Sequence, residues 1–444
     1  MMITRSNKPI RVLLAPSGFK EGLGVAEVID CMARGVLAAL PQAEILSAPM
    51  VDGGEGFTET LVALTGGRLH RVKVTGPVGQ PVEAQFGFLG GRGRIAVLEM
   101  ASAAGLRLVP AGARDPLRTT SRGVGELIRA ALDAGARRIL VGCGDSGIND
   151  GGAGMAQALG IRLLDATGAE IGAGGGALAG LRRIDLAGRD PRLGRVRIDV
   201  ALNWHNQLLG PRGVSRVFGP QKGATPAAVE ALEQALETYA AAVRRDLGVE
   251  LRDMPGSGAS GGLGAGLHAL LGAVLHPRYD IVMRYIDIDA LLRRADLVLT
   301  AEGSLDGQTP FGKVPSEIAR RAKRYGLPVI ALAGTVGPDA HLNLAAGIDA
   351  YFSILKRPCS LAEALAEAPR LVADAAEQAL RMVLACLSQP PCALRRRPMP
   401  AGQENGAARC GTSGKPFDAP CGHGTTARRV ALRRPPAGAG RSTV

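Results

Sequence analysis

One pattern limits what this chain can become. A short apolar run, a loop rich in glycine and acid, and then apolar residues at helical spacing recur from the N-terminal end to beyond residue 350. The clearest instance is Arg137 to Leu159: Arg137 to Val141 reads as a buried strand, GCGDSGINDGGAGM (Gly142 to Met155) as a loop, and Ala153 to Leu159 as the start of a helix. Such alternation predicts an α/β fold with a parallel sheet, because a parallel pair needs a long, usually helical, crossover. At the loop, backbone N–H groups and the helix dipole can hold an anion. Asp145, Asn149 and Asp150 add oxygen atoms that suit a hard cation such as magnesium. Phosphate plus metal points to phosphoryl transfer.

The same rhythm opens the chain with strand Arg11 to Ala15, helix Val25 to Leu40, strand Glu44 to Met50 and a helix to Leu64. It then breaks. Arg68 to Val74, Val82 to Phe88 and Arg94 to Met100 are strand-like runs joined by Gly/Pro turns, the mark of antiparallel pairing. A helix is expected from Thr120 to Leu132, strand and turn over 161–202, a long amphipathic helix from Thr225 to Leu247, and a glycine-rich turn running into a helix over Gly256 to Leu271. After Asp289 the first rhythm resumes: strands Leu297 to Thr300, Val329 to Ala333 and Ala350 to Leu355, with helices Pro315 to Tyr325, Asp339 to Ala346 and Leu361 to Leu387. The expectation is a doubly wound parallel-sheet domain built from both chain ends, 8–66 and 290–387, with a mixed α/β domain, 67–289, inserted. Residues 388–444 lose all periodicity and are expected to form a disordered tail rich in Arg, Pro and Gly.

At 444 residues the chain is too long for a single core. Its net charge of +13 would favour an acidic partner, but the tail alone carries ten Lys/Arg against two acids, leaving +5 for the rest. Aromatics make up 3% of the chain and Trp204 is the one tryptophan, which argues against a stacking platform for nucleic acid. No apolar run reaches a membrane span or a signal peptide, so a cytoplasmic location is expected. Seven cysteines without CxxC spacing point to reduced thiols, and Cys392, Cys410, Cys421 and His423 match no common zinc module.

Ligands of open α/β sheets bind beyond the carboxyl ends of the strands. Three such loops carry polar groups: Lys20 and Glu21 after the first strand, Asp52 and Glu55 after the second, and Glu302, Ser304 and Asp306 after Thr300. Several other matches carry little weight. GxGxxG occurs at Gly142, Gly144, Gly147 and again at Gly256, Gly258, Gly261, as expected by chance among 62 glycines, although the first keeps an NAD(P)-dependent oxidoreductase open as an alternative. A second alternative is a basic nucleic-acid-binding protein acting through the tail. Gly307 to Lys313 fits GxxxxGK, but Val314 stands where a P-loop needs Ser or Thr, while Lys313 can still neutralise a phosphate.

Taken in order, the loops resemble those of the two-domain bacterial glycerate kinases. The matching stretches are VDGGEG (Val51 to Gly56), TGPVG (Thr75 to Gly79), LEMASAAGL (Leu98 to Leu106), RDPLRTTSRGVGELI (Arg114 to Ile128), NDGGAGMAQALG (Asn149 to Gly160), RVFGPQKGA (Arg216 to Ala224), PGSGASGGLGAG (Pro255 to Gly266) and GKVP (Gly312 to Pro315). The resemblance implies transfer of the ATP γ-phosphoryl group to a hydroxyl of D-glycerate with Mg²⁺, giving 2-phosphoglycerate or, in some relatives, 3-phosphoglycerate. It also implies a flavodoxin-like domain from both chain ends and an active site in the interdomain cleft. The chain departs from the family pattern at Ser17 and Gly18, where an acid is missing, at Asp145 to Ile148, at Leu202 to Gln207, and in the loop Ala301 to Asp306. Within this reading Lys20 and Lys313 serve phosphate oxygens, and Arg122 or Lys222 holds the substrate carboxylate. Asp150 with Asn149 binds magnesium, and Asp52 and Glu55 are candidates for base or second metal ligand. Gly151, Gly152, Glu302 and Asp306 complete the phosphate and substrate walls.

Overall fold

A computed structural model describes residues 9–19, 22–91 and 93–388. In chain order these form β1 (Arg11–Leu14), α1 (Val25–Ala39), β2 (Glu44–Ser47), α2 (Phe57–Leu64), β3 (Arg68–Thr75), β4 (Pro81–Phe88), β5 (Ile95–Glu99), α3 (Ala101–Ala104), α4 (Arg122–Asp133), β6 (Arg138–Gly142) and α5 (Ala153–Ala158). Then follow β7 (Arg162–Leu164), β8 (Arg183–Asp185), β9 (Arg197–Leu202), α6 (Val214–Phe218), α7 (Pro226–Leu247), α8 (Ala259–Leu271), β10 (Val274–Pro277), α9 (Arg278–Tyr285) and α10 (Ile288–Arg294). The described chain closes with β11 (Leu297–Leu305), α11 (Val314–Arg324), β12 (Val329–Val336), α12 (Leu342–Ala345), β13 (Ala350–Ser353) and α13 (Leu361–Ser388).

The first sheet runs β13-β12-β11-β1-β2, all parallel. Numbered within that sheet the order is 2-1-3-4-5, the flavodoxin-like arrangement. Its strands are apolar on both faces because helices cover both. Val12 and Leu14 pack in a core with α1 and α13, whereas Leu13 joins the core on the opposite face, with Leu292 of α10 and Ile318 of α11. The sheet therefore takes strands from both chain ends, as expected.

The second sheet, β10-β9-β6-β5-β4-β3, is mixed. β3, β4 and β5 pair antiparallel, and β5, β6, β9 and β10 pair parallel. Leu98, Ile139 and Val141 face a core with α4, α7 and α8. Val97, Leu140 and Ala201 face the other way, into the same core that holds Leu13 and Ile318. Helix α2, which follows β2 in sequence, packs on β4 and β5, and α9 packs on β9. These two helices form a layer shared by both sheets, so one apolar core runs between them.

Three expectations change in detail. The strand expected to end at Thr300 continues to Leu305, so Glu302 and Ser304 lie in the sheet, opposite Ala333 and Thr335 of β12. The helix expected over Asp339 to Ala346 is a single turn, Leu342–Ala345. Strand β10 and helices α9 and α10 had no counterpart in the sequence pattern. The expected tail, including Cys392, Cys410, Cys421 and His423, lies outside the described residues, as do Lys20 and Glu21.

Candidate active site

The loop after β2 meets the carboxyl ends of β6, β9 and β10, and it does so through backbone. A Cβ on Gly142 would lie 2.7 Å from the carbonyl oxygen of Gly53, and a Cβ on Gly144 would lie 2.7 Å from Gly54 Cα. Glycine on both sides is what allows this approach. Polar contacts follow from it. The Glu55 N–H donates to Asp145 Oδ2 at 3.0 Å, and Arg278, the first residue after β10, donates from Nη1 to Asp52 Oδ2 at 3.3 Å. Asp52 Oδ1 accepts from the Gly54 N–H at 3.2 Å, and the Glu55 carboxylate pairs with Arg107 at 3.2 Å. Behind them the buried Glu99, at the end of β5, accepts from the N–H groups of Gly56 and Thr58 and so anchors the start of α2. Burial holds the Glu99 carboxyl above its usual range, against the lowering effect of those N–H groups.

Arg278 also lies over the ring of Tyr279, 4.8 Å from its centroid. The Tyr279 hydroxyl is pushed up chiefly by burial, and the charges of Asp52 and Glu302 add to that push. Asp52 from the end of β2 and Glu302 from β11 thus share one neighbourhood. Further along, Lys313 Nζ stands 3.2 and 3.3 Å from the two oxygens of Asp306 and 3.5 Å from the Ser304 carbonyl. Burial works to raise the Asp306 pKa, but the Gln308 N–H and the Lys313 ammonium outweigh it, and the carboxyl titrates below its ordinary value.

Asn149, Asp150 and Lys222 form a different group, buried beneath the loop. Asn149 and Asp150 are fully buried and Lys222 is 2% exposed. Asp150 Oδ2 accepts from Ser121 N–H (2.7 Å), Ser121 Oγ (2.8 Å) and Gly154 N–H (3.2 Å), and Oδ1 accepts from Gly152 N–H (3.2 Å). Three of the four donors converge on Oδ2, while Oδ1 accepts from one N–H and keeps further acceptor capacity. Asn149 Nδ2 donates to Ser215 Oγ at 3.1 Å. Lys222 Nζ donates to Ser146 Oγ at 3.0 Å and to the Ile148 carbonyl at 2.6 Å, pinning the GDSGIND loop from beneath. Burial lowers the Lys222 pKa to about 7, with the Asp150 charge opposing, and burial raises that of Asp150. These contacts hold the three side chains beneath the loop, with Asn149 Oδ1 left without a hydrogen-bond partner among the described residues. Gly151 and Gly152, both at positive φ, are likewise enclosed.

Arg122 starts α4 beside Ser121, on the same edge as the loop after β6, with its guanidinium half-exposed and 3.3 Å from Glu126. The glycines that gave the GxGxxG match at Gly142 and Gly144 serve the seam, and Gly147 packs against Val109 and Gly105. Sequence reading missed Arg278, Tyr279 and Arg107. Arg278 and Tyr279 could not be singled out because β10, the strand that places them at a carboxyl end, shows no period of its own in the sequence. Among the described residues no three His, Cys, Asp or Glu side chains cluster as a metal cage, and no helix is long and apolar enough to cross a membrane.

The model of the glycerate kinase family matches residues 12–384. The chain belongs to the glycerate kinase family. It is 48% identical to the glycerate kinase of Bacillus subtilis (strain 168), over 81% of this chain and 94% of that one. It is 46% identical to the glycerate 2-kinase of Escherichia coli (strain K12), over 80% and 93%. A crystal structure of a Salmonella typhimurium LT2 chain named as a glycerate kinase 2 superimposes with a TM-score of 0.75 at 46% identity, covering 85% of this chain and 99% of that chain. The activity is accordingly that of a glycerate kinase, a phosphotransferase with an alcohol group as acceptor, with glycerate and ATP as substrates. The oxidoreductase alternative falls with this assignment.

Proposed function

We propose that the enzyme transfers the γ-phosphoryl group of ATP to the 2-hydroxyl of D-glycerate, and that the transfer takes place along the seam of Asp52, Arg278, Glu302, Asp306 and Lys313. The observation that carries this reading is the Arg278–Asp52 contact, which joins the carboxyl end of β2 in one sheet to that of β10 in the other. The name of the Escherichia coli relative supports the 2-phosphoglycerate product. The domain division we propose follows the two sheets, 8–66 with 290–387 against 67–289, with α2 and α9 as the layer between.

Each residue has a role its chemistry suits. Asp52 is half-exposed and accepts the hydroxyl proton of glycerate. Lys313 serves phosphate oxygens, and Lys20, which lies outside the described residues, is assigned the same role from the sequence. Arg278 holds Asp52 in place and offers its remaining N–H groups to the charge that develops on the transferring group. Arg122 is suited to a bidentate hold on the substrate carboxylate. Magnesium takes one or two carboxylates plus phosphate oxygens and water rather than an all-protein cage. The sparse donor set of Glu302 and Asp306 fits that habit, and Mg²⁺ held there would neutralise phosphate charge.

A coupled ADP assay with D-glycerate, followed by phosphorus NMR of the product, tests the reaction and its regiochemistry. A 3-phosphoglycerate signal would overturn the 2-hydroxyl assignment. Replacement of Asp52 by Asn should lower kcat at least about tenfold, roughly 1.4 kcal/mol in the barrier, with unchanged thermal stability. A smaller loss removes Asp52 from the role of base.

A further inference from the structure

The carboxyl edge of the second sheet holds a cavity that the seam does not use. It has a volume of about 270 Å³ and is lined by Trp204, His205, Gln207, Arg212, Asp253 and Met254 among others. Small-molecule sites start near ~300 Å³, so this one accommodates part of a nucleotide rather than all of it. Two loops build it, one after β9 and one before α8, and a backbone bond joins them: the Gly258 N–H donates to the Asn206 carbonyl at 3.1 Å, while the Val214 N–H closes the first loop on itself by donating to the Gln207 carbonyl at 2.9 Å. A Cβ on Gly258 would lie 1.9 Å from the Gln207 carbonyl oxygen, so the loops meet as closely as backbone permits. The position is informative too. Leu202 pairs with Pro277, so the loop that lines the cavity leaves β9 one strand away from Arg278 and its Asp52 partner.

The lining combines a flat aromatic face, a thioether and charges of both signs. Trp204 is partly buried and packs against the apolar core, which fixes its indole. Arg212 and Asp253 are exposed, and Arg212 has no hydrogen-bond or ion-pair partner among the described residues. Glycerate has no apolar face to lay on an indole, and an adenine has. We infer that this cavity receives the adenosine end of ATP. Trp204 stacks on the base, Asp253 accepts from its exocyclic amine, and Arg212 meets the phosphates as they run toward Arg278. The assignment rests on the proposed transfer along the seam and adds the place from which the nucleotide reaches it.

Because Trp204 is the single tryptophan of the chain, its emission reports on this cavity alone. The full-length protein is titrated with ADP and separately with D-glycerate, and glycerate-dependent ADP release is measured in parallel. The expected result is a saturable change in emission with ADP and none with glycerate. Arg212→Ala and Asp253→Ala, both at exposed positions, should each raise KM for ATP about tenfold while KM for glycerate stays put. Emission that follows glycerate instead of ADP, or follows neither while turnover persists, overturns the cavity assignment and leaves the kinase reading standing. Emission that follows ADP without any glycerate-dependent ADP release overturns the transfer proposed at the seam and keeps the cavity.

Discussion

Lys222 is an ammonium group enclosed beneath the loop that faces the seam, and its proton has consequences for stability. Its pKa falls from 10.5 in the open chain to about 7 in the fold. Below pH 7 both states carry the proton and the cost of burying a cation is complete. Between about 7 and 10.5 the unfolded chain keeps a proton that the folded chain has shed, so this group makes stability rise with pH by up to about 1.4 kcal/mol per unit. Urea unfolding of the wild type and of Lys222→Met at pH 6.5 and pH 9 checks this. The wild type should gain on the variant as pH rises, and equal slopes would mean that Lys222 keeps its charge throughout. Asp150 faces the same enclosure, and its burial was not legible in the sequence. The residue that claims it, Ser121, lies 29 positions earlier, just before α4. A glycine-rich loop with two acids reads the same whether its carboxylates point out to a ligand or down into the protein.

At the scale of elements, the seam between the β2 loop and the β6 loop rests on backbone contact. Gly144→Ala would put a methyl group 2.7 Å from Gly54 Cα and 2.8 Å from Gly54 N, atoms that cannot swing aside. The loops must part, at an expected cost of about 1 to 3 kcal/mol in stability and with lowered kcat. An urea midpoint and a kcat both unchanged would show that the loops have room to spare. Most elements could be read from the sequence because their apolar periods are those of buried strands and two-sided helices. The exceptions have physical causes. Strand β10 is four residues long and passes directly from Pro277 into α9, so it is too short to show a strand period of its own. The end of β11, Ala301 to Leu305, has no alternation of its own and is extended because β12 pairs with it. Glu302 therefore lies near the carboxyl end of the central strand, where its sequence had suggested a loop.

For the whole molecule, the family match ends at residue 384 and α13 at Ser388, while the basic charge is concentrated beyond them. A chain stopped after Pro390 should keep kcat, both KM values and its melting temperature, with stability changed by less than about 0.5 kcal/mol. Loss of activity in that variant would give the Arg-rich segment a part in the chemistry. The shared core has its own corollary for such trials, since α2 and α9 lie between the sheets and neither sheet can be expressed alone without exposing Val97 and Leu140 or Leu13 and Val298.

The pairing of β1 with β11 also sets a timetable for synthesis. Arg11 and its partner Asp296 are 285 residues apart. At ribosomal rates of about 5 to 20 residues per second, the first strand waits roughly 15 to 60 seconds for its neighbour to emerge. All six strands of the second sheet are made in that interval, so it can assemble first. The nascent β1 and β2, whose Val12, Leu13 and Leu14 end fully buried, are meanwhile the stretch on which a chaperone would have longest to act.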